Sequence, residues 1–172
     1  MKASWLLVGL IVIAMAGCIK TEPVSSVPEI TFKSLTLFEK YDSSLDTKIF
    51  TAELIFSFID GDADIAIPYS PALDTILPDS ARFNIFLYPF EKVDNYYVPI
   101  IPDTSLHLPP PFYRITNNDK FTRTGQNKTL KGEITIDMVD LPIGYDTIRY
   151  EFYMKDAAGH KSNVEVTSDL GF

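Results

Sequence analysis

The sequence predicts an all-β sandwich of about seven short strands. Three observations carry that expectation. Apolar residues recur with period two in several separate segments, turn-forming residues interrupt them at short intervals, and no segment keeps a helical period over ten residues. Within 172 residues, that pattern suits two packed sheets around a single core.

The chain opens on a leader. Lys2 precedes an apolar run from Trp5 to Ala16, too short for a spanning helix, which needs about 20 apolar residues. Met15-Ala16-Gly17-Cys18 resembles the bacterial lipobox, which implies cleavage before Cys18 and diacylation of its thiol; the alternative is a plain signal peptide followed by a chance cysteine. Cys18 is the only cysteine in the chain. An exported protein with one thiol makes no internal disulfide, and a lipid on that thiol accounts for it. Residues 1–17 are therefore expected to be a lipoprotein signal peptide. Residues 18–28, with Pro23, Ser25, Ser26 and Pro28, are expected to be the lipidated cysteine and a flexible tether, and 29–172 the folded domain. Several acyl chains on one cysteine hold firmly, each buried methylene contributing about 0.8 kcal/mol.

The strands follow in order. Ile30 to Phe38 is rich in β-branched and aromatic residues. Lys48 to Asp60 alternates, placing Phe50, Ala52, Leu54, Phe56 and Phe58 on one face and Thr51, Glu53 and Ser57 on the other. Arg82 to Tyr88 and Tyr96 to Ile101 supply two more. Leu130 to Ile136 puts Leu130, Ile134 and Ile136 on one side, with Gly132 between them. Thr147 to Lys155 points Ile148, Tyr150, Phe152 and Met154 inward and Arg149, Glu151 and Lys155 outward. Asn163 to Thr167 closes the set.

Two patterns near the C-terminus narrow the expectation to an Ig-like or fibronectin-III-like sandwich. Tyr150 stands two residues before the inward position Phe152, the spacing of a tyrosine corner. The Asp156 to Asn163 turn offers Asp156 as an acceptor for backbone N–H groups and Gly159 for a positive φ. It resembles the D-x-A-G-N turn that precedes the last strand of bacterial Ig-like domains, with His160 replacing asparagine. Together with Cys18, the segment Phe56 to Ile65 and Gly132-Glu133-Ile134, these features resemble a family of uncharacterised Ig-like lipoproteins of Bacteroidota. In that family the acidic segment reads D-G-D-G-D-I-G; here Ala63 and Ala66 replace two glycines. The resemblance implies a fold and an envelope location, and no activity.

The strongest candidate site is the acidic loop. Asp60, Asp62 and Asp64 place carboxylates at alternate positions as a strand ends, and calcium takes six to eight oxygens. Ile65 and Pro71 occupy the glycine and glutamate positions of an EF-hand, which excludes that motif. Further ligands must come from elsewhere, and Asp156 is the proposed fourth. The competing reading is a solvated acidic turn.

A second candidate is the proline-rich excursion after Pro89, where Tyr96, Tyr97, Phe112 and Tyr113 offer flat faces to a sugar or a protein partner, or else cover the sandwich edge. Thr75 and Ser80 sit in D-[S/T]-apolar triplets that resemble Bacteroidota O-glycosylation sites. His107 and His160 share no metal spacing, and no G-x-S-x-G elbow or phosphate-binding glycine loop is present. A net charge of −8 with scattered basic residues argues against nucleic-acid binding. The expectation is a non-catalytic, outer-membrane lipoprotein that binds or scaffolds an envelope protein or glycan. The alternatives are an accessory subunit without its own ligand and, at a distance, a carbohydrate-active enzyme.

Overall fold

The computed structural model describes residues 24–67, 71–76, 78–101, 112–116, 128–139, 141–142 and 144–172. The leader, Cys18 and the first part of the tether lie outside the described residues. The described chain is nearly all β. Nine strands run in order: β1 Glu29–Asp42, β2 Thr47–Asp60, β3 Ile85–Val93, β4 Tyr96–Pro99, β5 Phe112–Tyr113, β6 Leu130–Met138, β7 Thr147–Met154, β8 Glu165–Val166 and β9 Leu170–Gly171. Two four-residue helical turns, α1 Pro71–Asp74 and α2 Asp79–Arg82, lie between β2 and β3.

The strands form two antiparallel sheets that share one apolar core. The first runs β1-β2-β6; the second runs β4-β3-β7-β8, with β5 added to β3 and β9 to β7. Period-two alternation decides which side chains meet. From the first sheet, Ala52, Leu54, Phe56, Phe58, Leu130 and Ile136 face inward; from the second, Ile85, Leu87, Ile148, Tyr150, Phe152 and Met154. The centre is aromatic: the rings of Phe56 and Phe152 lie 5.2 Å apart and those of Phe32 and Phe152 6.4 Å. Each such buried side chain contributes about 1.5–3 kcal/mol. Gly132 leaves room for the Phe58 ring, since a Cβ there would lie 3.2 Å from it.

Departures from the sequence-based expectations have local causes. Phe50 continues the inward row of β2 yet is exposed, because the hairpin tip beyond Ala52 has no β6 partner. β3 starts three residues later than expected. Its predecessor Asn84 is buried and bonds three segments: the Asn84 side chain donates to Ile65 O and accepts from Ile115 N, while its carbonyl accepts from Lys155 N. The β3–β4 turn is Asp94-Asn95, both at positive φ, the backbone of a two-residue hairpin with primed turn geometry. Tyr150 lies in the inward row of β7, and burial pushes its hydroxyl well above its ordinary pKa.

Candidate metal centre

Strand parity builds the site. The inward row of β2, Ala52-Leu54-Phe56-Phe58, ends one step later on Asp60. The inward row of β7, Ile148-Tyr150-Phe152-Met154, ends one step later on Asp156. Both aspartates are thus carried into the same end of the sandwich, and both are shut away from solvent, at 0% and 2% exposure. Asp64, half-buried, joins them: one carboxylate oxygen from each of Asp60, Asp64 and Asp156 lies within 4.8 Å of the others.

Backbone bonds hold the two loops together. Asp60 Oδ2 accepts from Asp64 N at 3.1 Å, which curls the acidic loop back on its own strand. Ala157 N donates to Asp64 O at 2.8 Å, tying that loop to the turn after β7. In that turn Asp156 Oδ1 accepts from His160 N at 2.7 Å, and Gly159 takes φ +91°. His160 Nδ1 sits 2.7 Å from Asp156 Oδ2. Ala63 is held at φ 62°, in the left-handed region that costs an L-residue about 1–2 kcal/mol.

What remains unsatisfied is telling. Among the described residues, Asp60 Oδ1 is fully buried without a hydrogen-bond partner, and the same holds for Oδ1 of Asp62 and Asp64; the amides of Asp64 and Ala63 are the donors that face the Asp60 carboxylate. A buried carboxylate oxygen without a donor is costly, and proteins resolve that cost by pairing, protonation or a metal. No lysine or arginine forms an ion pair with the cluster among the described residues. Burial pushes the Asp60 carboxyl up to about 6, against the bond from the Asp64 amide, and the Asp62 charge adds to the rise. Burial also lifts Asp64 to about 6, with the negative charges of Asp156 and Asp62 next in weight. His160 moves upward because it hydrogen-bonds to Asp156. An all-oxygen donor set, its carboxyls raised towards neutrality by burial and by one another's charge, is the chemistry that suits a hard divalent cation.

The four carboxylates singled out from sequence therefore divide. Asp60, Asp64 and Asp156 converge; Asp62 stays beside them, its side chain close enough to hydrogen-bond with Asp64 and its charge adding to the rise there. His160, read from sequence as a turn residue, is the unanticipated member, through its two bonds to Asp156.

The aromatic candidates do not form one surface. Tyr96 and Tyr97 pair with Val93 and Lys92, while Phe112 and Tyr113 pair with Phe86 and Ile85, six to eight residues away along β3, roughly 20–27 Å at the strand rise. Tyr97 is already engaged. Its hydroxyl donates to Asp169 at 2.7 Å, and the Arg149 guanidinium lies 3.4 Å from its ring centre. Phe112 packs on Phe83 and Phe86, and Tyr113 packs against the core. Tyr96 alone of the four is largely exposed, at 76%. Thr75 follows α1, exposed, with its hydroxyl donating to Ala72 O at 3.1 Å; the Ser80 side chain lies outside the described ones. No protein-family model, curated protein or solved structure matches the chain.

Proposed function

We propose that this chain is a non-catalytic, lipid-anchored domain of the cell envelope, Ig-like in type, that binds one divalent cation at the pole where its tether joins. Calcium is the ion that the donor set favours, because the converging ligands are hard carboxylate oxygens drawn from the acidic loop and from the turn after β7. Asp60, Asp64 and Asp156 would hold it, with Asp62 contributing charge. The supporting observation is the buried, partnerless Asp60 Oδ1 inside a group of three converging carboxylates. Extracellular calcium modules with few charged ligands bind in the range of about 0.1–1 mM, and an exported protein meets such concentrations. The cation's role is structural: it neutralises carboxylates that strand parity forces into the core.

The leader and Cys18 support lipid anchoring at the outer membrane, and the domain would bind or scaffold an envelope protein or glycan there. An exposed apolar surface lies at the tip of the β1–β2 hairpin, where Tyr41, Leu45 and Phe50 are exposed at the end opposite the acidic loop. The test is a pair of melting curves at neutral pH, one in chelator and one in millimolar calcium. A rise in Tm with calcium that magnesium does not match supports the reading; identical curves remove it. For the anchor, Cys18→Ser is expected to move the protein from the membrane fraction to the soluble one.

A further inference from the structure

The residue between Asp60 and Asp62 links the acidic loop to the segment leading back to Cys18. Gly61 N donates to Ser25 O at 2.9 Å. The approach is so close that a Cβ at position 61 would fall 2.5 Å from the Ser25 carbonyl oxygen and closer still to that of Val24. Ser25 Oγ accepts from Val27 N at 3.0 Å, and Pro28 is buried. Next along the chain, Asn163, three residues beyond His160, grips Ile30 through both backbone groups: Ile30 N donates to Asn163 Oδ1 at 2.8 Å, and Asn163 Nδ2 donates to Ile30 O at 2.9 Å. The last residues of the tether are thus folded back against the loop that carries the cluster, rather than leaving β1 freely.

We propose that cation occupancy of the Asp60–Asp64–Asp156 cluster locks Val24–Pro28 onto the domain, making the joint between tether and domain stiff with the cation and loose without it. This rests on the cation reading above, whose independent support is the partnerless Asp60 oxygen. The coupling is mechanical. Gly61 follows Asp60 directly, so carboxylates that repel one another shift the amide that holds Ser25. A cation that draws them together fixes that amide. Linkage makes the effect reciprocal: a tether docked on Gly61 must strengthen cation binding by the same factor. From Cys18 to Val24 the chain spans six residues, at most about 20 Å when extended.

The experiment uses the mature lipidated chain in detergent, with calcium or chelator as the only variable. Exchange of the Gly61 amide is followed in the wild type, and calcium affinity is measured in the wild type and in Gly61→Ala. The alanine displaces Val24 and Ser25 without touching a ligand. The expected result is slowing of Gly61 exchange by tenfold or more with calcium, and affinity weakened about fivefold or more in the variant, within the usual range of coupling. Should the variant fail to fold, the wild-type exchange comparison decides alone. Calcium binding with Gly61 exchange unchanged overturns the coupling and leaves the cation site standing. No calcium binding by the wild type overturns both.

Discussion

Replacing Asp60 with asparagine separates the cost of the acidic cluster from its use. Asp60 is fully buried, and its carboxyl rises from the ordinary 3.8 to about 6. A folded-state pKa above the unfolded one means that the stabilising contribution is complete below the unfolded value and is lost as pH climbs through the folded value. At neutral pH the ionised group therefore weighs on the folded state, by about 3 kcal/mol for a shift of that size. Asparagine keeps the oxygen that accepts from Asp64 N, carries no charge, and offers amide donors to the neighbouring carboxylates. In chelator, Asp60→Asn is expected to be more stable than the wild type by about 2 kcal/mol, roughly 4–8 °C in Tm for a domain of this size. In calcium at about 100 times its dissociation constant, the wild type gains about 2.7 kcal/mol, whereas the variant, short of one ligand, gains little. The order of the two proteins then reverses or closes. Urea unfolding in both media at neutral pH reads each difference. A variant less stable than the wild type by about 1 kcal/mol or more in chelator would refute the reasoning, because Asp60 would then be a structural acceptor rather than a strained ligand.

Three further outcomes test the frame around the site. Without divalent ions, stability is expected to fall as pH rises from about 5 to 8. Asp60 and Asp64, both raised to about 6, lose their contribution over that interval, and so does His160, whose raised pKa favours the cation beside Asp156; saturating calcium flattens the slope, as melting curves across pH will show. Gly159→Ala, at φ +91°, is expected to cost about 1–2 kcal/mol in chemical denaturation and to weaken calcium binding by loosening the turn that places Asp156. Phe152→Ala removes the ring that meets Phe32 and Phe56; at about 3–5 kcal/mol it consumes a large part of a typical domain's stability, and loss of a cooperative transition is the readout.

Much of the architecture is legible in the sequence because period-two alternation survives in β2 and β7, whose inward rows are complete and apolar. Those rows also contain the site. Asp60 and Asp156 each stand at the next inward step after Phe58 and Met154, so a reader who continued the parity past the last apolar residue would place both in the core. Spacing within the loop suggested instead that Asp62 belongs with Asp60 and Asp64. The curl from Asp64 N to Asp60 Oδ2 breaks the strand's alternation there, and Asp62 is left to one side. The two-residue strands β5 and β9 are too short to carry a period. Gly61 reads from sequence as an ordinary turn glycine; its true constraint is the backbone of Val24 and Ser25, 36 or 37 positions away in the chain, a contact that no local pattern encodes. The aromatic excursion was ambiguous for a related reason, since Tyr97 and Phe112 are absorbed by partners that only the fold brings near.

The most direct measurement is a calorimetric titration of calcium into the chelator-treated chain at neutral pH, beside Asp64→Asn, which removes one of the three converging carboxylates. One site per chain in the wild type, with binding abolished or weakened by at least tenfold in the variant, is the result expected. No binding heat in the wild type at millimolar calcium, or equal affinity in the two proteins, would contradict the assignment of this pole as a cation site.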